Sequence, residues 1–235
     1  MSKRIFLYFT LLFFSINLCL AQQERFFGLG KLSSNLITRI TQDSSGFIWI
    51  ATENGLNKFD GWNFTHYFYS DKDSTSLSGN YIETFFTDNS GTLWIGANRG
   101  LEYYCPYKDS FLRIKFPDNT HPSVRGIIQL HSGEIWIVTA GYGLYSIDKQ
   151  KLTATSLNDI NKLLTVPYAN HIFEDRSHQL WVSLSENRMA CISPNKKIVK
   201  TYNLPIDPQY KVYGITEDHM GRMFVATSSH VFLWD

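Results

Sequence analysis

Seven histidines, three cysteines and a series of evenly spaced aspartates are the residues of this 235-residue chain that could carry chemistry. A metal-bound hydrolytic water would need imidazoles at a spacing such as His-Glu-x-x-His, and a serine nucleophile would need a Gly-x-Ser-x-Gly elbow; neither is present. Gly28-x-Gly30 before Lys31 is too short for a nucleotide fingerprint and is expected only to turn the chain. Cys105 and Cys191 fall in different repeats, too far apart for a bridge that needs Cα atoms within about 7 Å, and both read as buried small hydrophobes. No catalytic residue, metal site or cofactor is expected.

The aspartates mark a repeat. Asp43, Asp88, Asp175 and Asp218 each stand three residues before Gly46, Gly91, His178 and Gly221, and three residues further on come Trp49, Trp94, Trp181 and Phe224. Leu130, Gly133 and Trp136 complete the series, with Leu130 in place of the acid; His178 stands where the others have glycine. An aspartate at this spacing can accept backbone N–H bonds across a hairpin turn while the later residue takes a positive φ. The aromatics are separated by 45, 42, 45 and 43 residues. A period of about 40 to 45 residues with several short strands per unit predicts a β-propeller blade. In the first unit, alternating apolar residues predict strands over 37–42, 47–52, 55–59 and 62–69. The expected fold is all-β, with four-stranded antiparallel blades at about 37–79, 80–122, 123–168, 169–210 and 211–235, the last incomplete.

Tryptophans can stack sugars, yet Trp49, Trp94, Trp136 and Trp181 occupy one repeat position and are expected to pack between neighbouring sheets, as is Phe224. Residues that differ from blade to blade are better binding candidates. The start of each first strand and the turn between the second and third strands share one face, which gathers Asn54, Tyr81, Arg99, Tyr142, Asn170, His171 and Asn187 around one opening.

Lys3 and Arg4 precede an apolar run from Ile5 to Leu20, and Ala21 supplies a small residue for cleavage before Gln22; residues 1–21 are expected to be an export signal. Residues 22–36 form a lead-in segment, expected to be loosely held in this chain and to serve as a closing strand for a blade beyond residue 235. The balance of 22 basic against 21 acidic residues, scattered along the chain, argues against nucleic acid as a partner.

The stretch Leu36-Ile-Thr-Arg-Ile-Thr-Gln-Asp-Ser-Ser-Gly-Phe-Ile-Trp-Ile-Ala-Thr-Glu-Asn-Gly-Leu-Asn-Lys-Phe-Asp-Gly61 resembles the two-component regulator propeller repeat. The second unit keeps Asp88, Gly91, Trp94-Ile-Gly96 and Gly100-Leu101, and the third keeps Gly133, Trp136 and Gly143-Leu144. The resemblance implies a periplasmic sensor region of a hybrid histidine kinase of the Bacteroidetes, responding to oligosaccharides and controlling polysaccharide-utilisation genes. It further implies seven blades, a second propeller, kinase and regulator domains downstream, and a dimeric full-length receptor. On that basis the chain is expected to be the front piece of a longer, membrane-anchored protein and not itself an enzyme. The alternatives are a secreted propeller enzyme of the streptogramin-lyase type, with His171 in the place of its catalytic histidine, or of the sialidase type, whose turns have the different spacing Asp-x-Gly-x-x-Trp, and a protein-interaction scaffold.

Overall fold

A computed structural model describes residues 32–164, 168–197, 199–207 and 210–234. The expected export signal and most of the lead-in segment lie outside the described residues.

Five antiparallel sheets follow one another along the chain. The first contains β1 (Ile37–Gln42), β2 (Ile48–Thr52), β3 (Gly55–Phe59) and β4 (Phe64–Tyr67). The second contains β5 (Ile82–Thr87), β6 (Leu93–Ala97), β7 (Gly100–Cys105) and β8 (Ser110–Arg113). The third contains β9 (Ser123–Gln129), β10 (Ile135–Ala140), β11 (Gly143–Asp148) and β12 (Thr153–Ser156), followed by the short helix α1 (Asn158–Leu164). The fourth contains β13 (Ala169–Glu174), β14 (Leu180–Leu184), β15 (Arg188–Ile192) and β16 (Val199–Asn203). The fifth has three strands, β17 (Val212–Glu217), β18 (Met223–Thr227) and β19 (Val231–Trp234). Consecutive first strands β1, β5, β9, β13 and β17 neighbour one another, so the first strand of each sheet is the innermost. This is the β-propeller arrangement.

The turn chemistry explains why each β1–β2 type hairpin closes where it does. One oxygen of Asp43 accepts the N–H groups of Ser45 and Phe47 at 2.9 and 3.0 Å, and Asp88, Asp175 and Asp218 do the same two and four residues on. The second oxygen takes the indole N–H of the repeat tryptophan: Trp49 to Asp43 at 2.7 Å, Trp94 to Asp88 at 2.9 Å, Trp181 to Asp175 at 2.8 Å. One carboxylate thus fixes both the turn and the rotamer of the core aromatic. Burial pushes the Asp88 carboxyl up, but the bonds from Ser90, Trp94 and Thr92 outweigh it and hold the group down at about 2. Where Leu130 replaces the acid, the buried Trp136 indole N–H has no partner, and the Lys196 ammonium lies over its ring at 4.7 Å. His178 takes the glycine's left-handed conformation with φ 59°.

Each repeat tryptophan packs against the following sheet. Trp49 sits with Leu77, Ile82, Ile95 and Phe111; Trp94 with Val124, Ile137 and Tyr145; Trp136 with Ile172, Leu180 and Val182; Trp181 with Val212, Ile215 and Val225. Phe224 departs from the expectation. It is only half-buried because no described sheet follows the fifth, and Arg222 covers its ring while bonding Asp218 at 2.7 Å. Cys105 is likewise half-buried, whereas Cys191 is buried, and both are free thiols.

The described end of the lead-in segment is docked, not loose. Ser33 donates its N–H to the buried Asn57 at 2.8 Å, and its hydroxyl meets Thr52 at 3.1 Å. Leu77-Ser78 repeats Leu32-Ser33 one blade on, with the Ser78 N–H given to the buried Glu102 at 3.1 Å.

Candidate functional site

A cavity of about 580 Å³ opens among the starts of the first strands. Five of its lining residues, Thr38, Glu83, Arg125, Asn170 and Tyr213, come one from each blade. They share a local cause. In every first strand the ladder skips one residue: Ile37 pairs with Thr52 and Arg39 with Ala51, so Thr38 is left over, and the same shift leaves over Glu83, Arg125, Asn170 and Tyr213. A β-bulge re-aims the extra side chain, and here it sends five different side chains into one opening.

In the third, fourth and fifth blades the bulge is forced by burial on both sides of it. The residue before the extra one packs between blades (Ile82, Val124, Ala169, Val212), and so does the residue two after it (Ile127, Ile172, Ile215). An interval of three cannot place both on the same face of a regular strand, whose side chains alternate with period two. Inserting one extra residue resolves the conflict.

The opening is polar and predominantly cationic. Arg39, Arg125 and Lys211 line it with a single carboxylate, Glu83. Arg125 Nη1 donates to Asn170 Oδ1 at 3.0 Å, while its buried Nε has no partner. Glu83 accepts the Ser123 hydroxyl at 3.0 Å, and Arg39 Nη1 is given to the Thr38 carbonyl at 2.9 Å. Among the described residues none of the three cations forms an ion pair. Their charge is available to a ligand.

The seven residues expected around an opening do not all meet. Tyr81 and Asn170 line the cavity. Asn54, Arg99 and Tyr142 are exposed in the turns between second and third strands; those turns share the face but lie farther from the axis than the first strands. Arg99 rests over the Tyr69 ring at 5.2 Å, and Tyr142 lines a separate groove with Asp118 and Asn158. Asn187 is buried with φ 56° and donates to the Ile206 carbonyl at 2.6 Å, so its amide ties the turn to the segment after β16 and is not part of the cavity lining. His171 gives its Nε2 proton to the Ile215 carbonyl at 3.2 Å, and burial lowers its basicity. The imidazole ties the fourth blade to the fifth. Thr38, Glu83, Arg125 and Tyr213 were not anticipated.

The two-component regulator propeller family matches at residues 31–54 and 76–99, the first two repeats with their Leu-Ser starts. The chain carries two-component regulator propeller repeats. The extracellular domain of a putative hybrid two-component system from B. thetaiotaomicron is similar at 29% identity and TM-score 0.77, over 90% of this chain and 30% of that one. A histidine kinase P4 from Formosa agariphila is 42% identical over 55 residues, which is 23% of this chain and 4% of that protein. The chain therefore spans under a third of the length of these relatives. A virginiamycin B lyase from Staphylococcus aureus shares the fold at TM-score 0.62 and 15% identity, over 85% of this chain and 69% of that one. No helix among the described residues is long and apolar enough to cross a membrane.

Proposed function

We propose that this regulator propeller is part of the ligand-sensing region of a hybrid two-component system, lies outside the cytoplasm, and takes an acidic oligosaccharide at the cationic opening. The observation that carries the reading is the ring of bulge residues: five blades contribute five unlike side chains to one cavity, with Arg39, Arg125 and Lys211 against Glu83 alone. Arginine forks match carboxylate and sulfate groups, and Tyr81 and Tyr213 offer ring faces to sugar. The similarity to an extracellular domain of a hybrid system supports the placement and the signalling context. Kinase activity and control of polysaccharide-utilisation genes would belong to other domains of such a receptor. An enzymatic role for His171 is disfavoured by its bond to the Ile215 carbonyl.

The test is a thermal-shift panel of neutral, uronate-containing and sulfated oligosaccharides. The proposal expects a rise in unfolding temperature with acidic sugars and none with neutral ones. Equal shifts with both classes, or none with either, would refute it.

A further inference from the structure

The geometry points to a binding site for a borderline divalent metal, such as Zn2+ or Cu2+, formed by His131, Glu174 and His178 where the third and fourth blades meet. Their donor atoms all lie within 4.8 Å of one another. Glu174 Oε1 is 2.6 Å from His131 Nδ1 and 3.8 Å from His178 Nδ1. The glutamate side chain is mostly covered, at 12% exposure, while the imidazoles are half exposed and so open to an arriving ion.

The repeat separates what these residues owe to the fold from what is additional. In the third, fourth and fifth blades the residue before the turn reaches back to the preceding blade: Gln129 accepts the N–H of Asn89 at 2.8 Å, and Glu217 accepts that of Arg176 at 2.9 Å. Glu174 does the same with one oxygen, taking the His131 N–H on Oε2 at 2.8 Å. Only here is the second oxygen faced by two imidazoles.

His178 is the stronger sign. Its equivalents Gly46, Gly91, Gly133 and Gly221 all have φ between 79° and 89°, as the turn requires, and the fourth turn alone holds a side chain in the left-handed region. That side chain lies on the His131 ring, with centroids 3.6 Å apart and planes 24° from parallel. Glycine would meet the backbone demand of the turn without steric cost, so the histidine stands there against the local preference.

Two imidazoles and one carboxylate suit zinc or copper and not the hard cations magnesium and calcium, which select oxygen donors. Metal–ligand bonds of about 2.0 to 2.2 Å put the donor atoms of a tetrahedral site a little over 3 Å apart. The present separations bracket that value. The rings must unstack so that their lone pairs converge in front of Oε1, and their exposure leaves room to do so. Water, or a donor from another molecule, fills the remaining positions. His131 Nδ1 now donates a hydrogen bond to Glu174; a metal takes the place of that bond, and the neutral ring keeps its one proton on Nε2.

The experiment titrates Cu2+ and Zn2+ into the full chain, its His178→Gly and His131→Ala variants and the double variant, with Cu2+ environment read by electron paramagnetic resonance. Expected is one saturable ion per chain with two coupled imidazoles, displaced by Zn2+ but not by Mg2+ or Ca2+. Each single variant should lose one imidazole coupling and about tenfold or more in affinity, at least what loss of an outer-shell partner costs. His178→Gly restores the residue that the turn favours, so its unfolding temperature should hold or rise, and lost binding there cannot be ascribed to lost fold. Metal uptake and spectrum unchanged in the double variant, or no saturable uptake by the original chain, would overturn the proposal.

Discussion

Replacing Glu102 by glutamine should stabilise the protein at alkaline pH and leave it nearly unchanged in mild acid. Glu102 lies in β7 between Ile95 and Arg113 and has no exposed surface. One oxygen accepts the Ser78 N–H, the other has no partner, and Arg113 is committed to the carbonyls of Ser76 and Leu77 at 3.0 and 2.6 Å. Burial raises the carboxyl from 4.5 to about 7, only partly opposed by the Ser78 bond and Arg113. The folded chain therefore keeps this proton up to about pH 7, while the unfolded chain releases it near 4.5. Between those values the native state binds more protons, so stability is fully present below pH 4.5 and falls as pH rises. At about 1.4 kcal/mol per tenfold in acidity, the loss complete above pH 7 is on the order of 3 kcal/mol. Urea unfolding followed by tryptophan fluorescence from pH 4.5 to 8.5 measures it directly. The difference between Glu102→Gln and the original chain should widen with pH toward that figure, less whatever the amide N–H loses by lacking an acceptor. Asn57, the equivalent residue of the first blade, shows that an amide fits this place. Parallel pH profiles for the two proteins would refute the reasoning.

Other expectations follow from the blade contacts. Trp94→Ala should cost about 3 to 5 kcal/mol in urea unfolding, since it empties the space between the second and third blades. Asp88→Asn should cost on the order of 1 to 2 kcal/mol at neutral pH through the turn and indole bonds, and should remove the loss of stability that the original chain shows from about pH 4 down to 2. Gly96→Ala should destabilise by about 1 to 3 kcal/mol, because its Cβ would stand 2.8 Å from the Val124 carbonyl of the next blade. Lys196→Ala should cost under about 1 kcal/mol, and less at high salt, since the Lys196–Glu134 pair is partly exposed.

The fold was legible because its determinants are local and repeated. The Asp-x-x-Gly-x-x-Trp spacing predicts the turn, the strand that follows it and the buried aromatic, and even the exceptions at Leu130 and His178 keep the hairpin. The second oxygen of the aspartate was not anticipated, although the constant six-residue interval to tryptophan holds the signal. The opening was less legible. Alternation treats a first strand as regular, and only the odd interval between apolar residues, as from Val124 to Ile127 or Ala169 to Ile172, betrays the bulge that turns Arg125 and Asn170 inward. Face alone put Arg99 and Tyr142 with Tyr81, because a sequence gives the end of a strand but not its distance from the axis. Asn187 illustrates another ambiguity: an asparagine in a turn serves the backbone as readily as a ligand.

The most direct test of the central claim is a calorimetric titration of one uronate-containing oligosaccharide, and its neutral counterpart, against the original chain and Arg125→Gln. The account predicts binding of the acidic sugar, weakened about tenfold or more by the substitution and by raised salt, and no measurable binding of the neutral one. Acidic-sugar affinity that is indifferent to Arg125→Gln, or a preference for the neutral sugar, would contradict it.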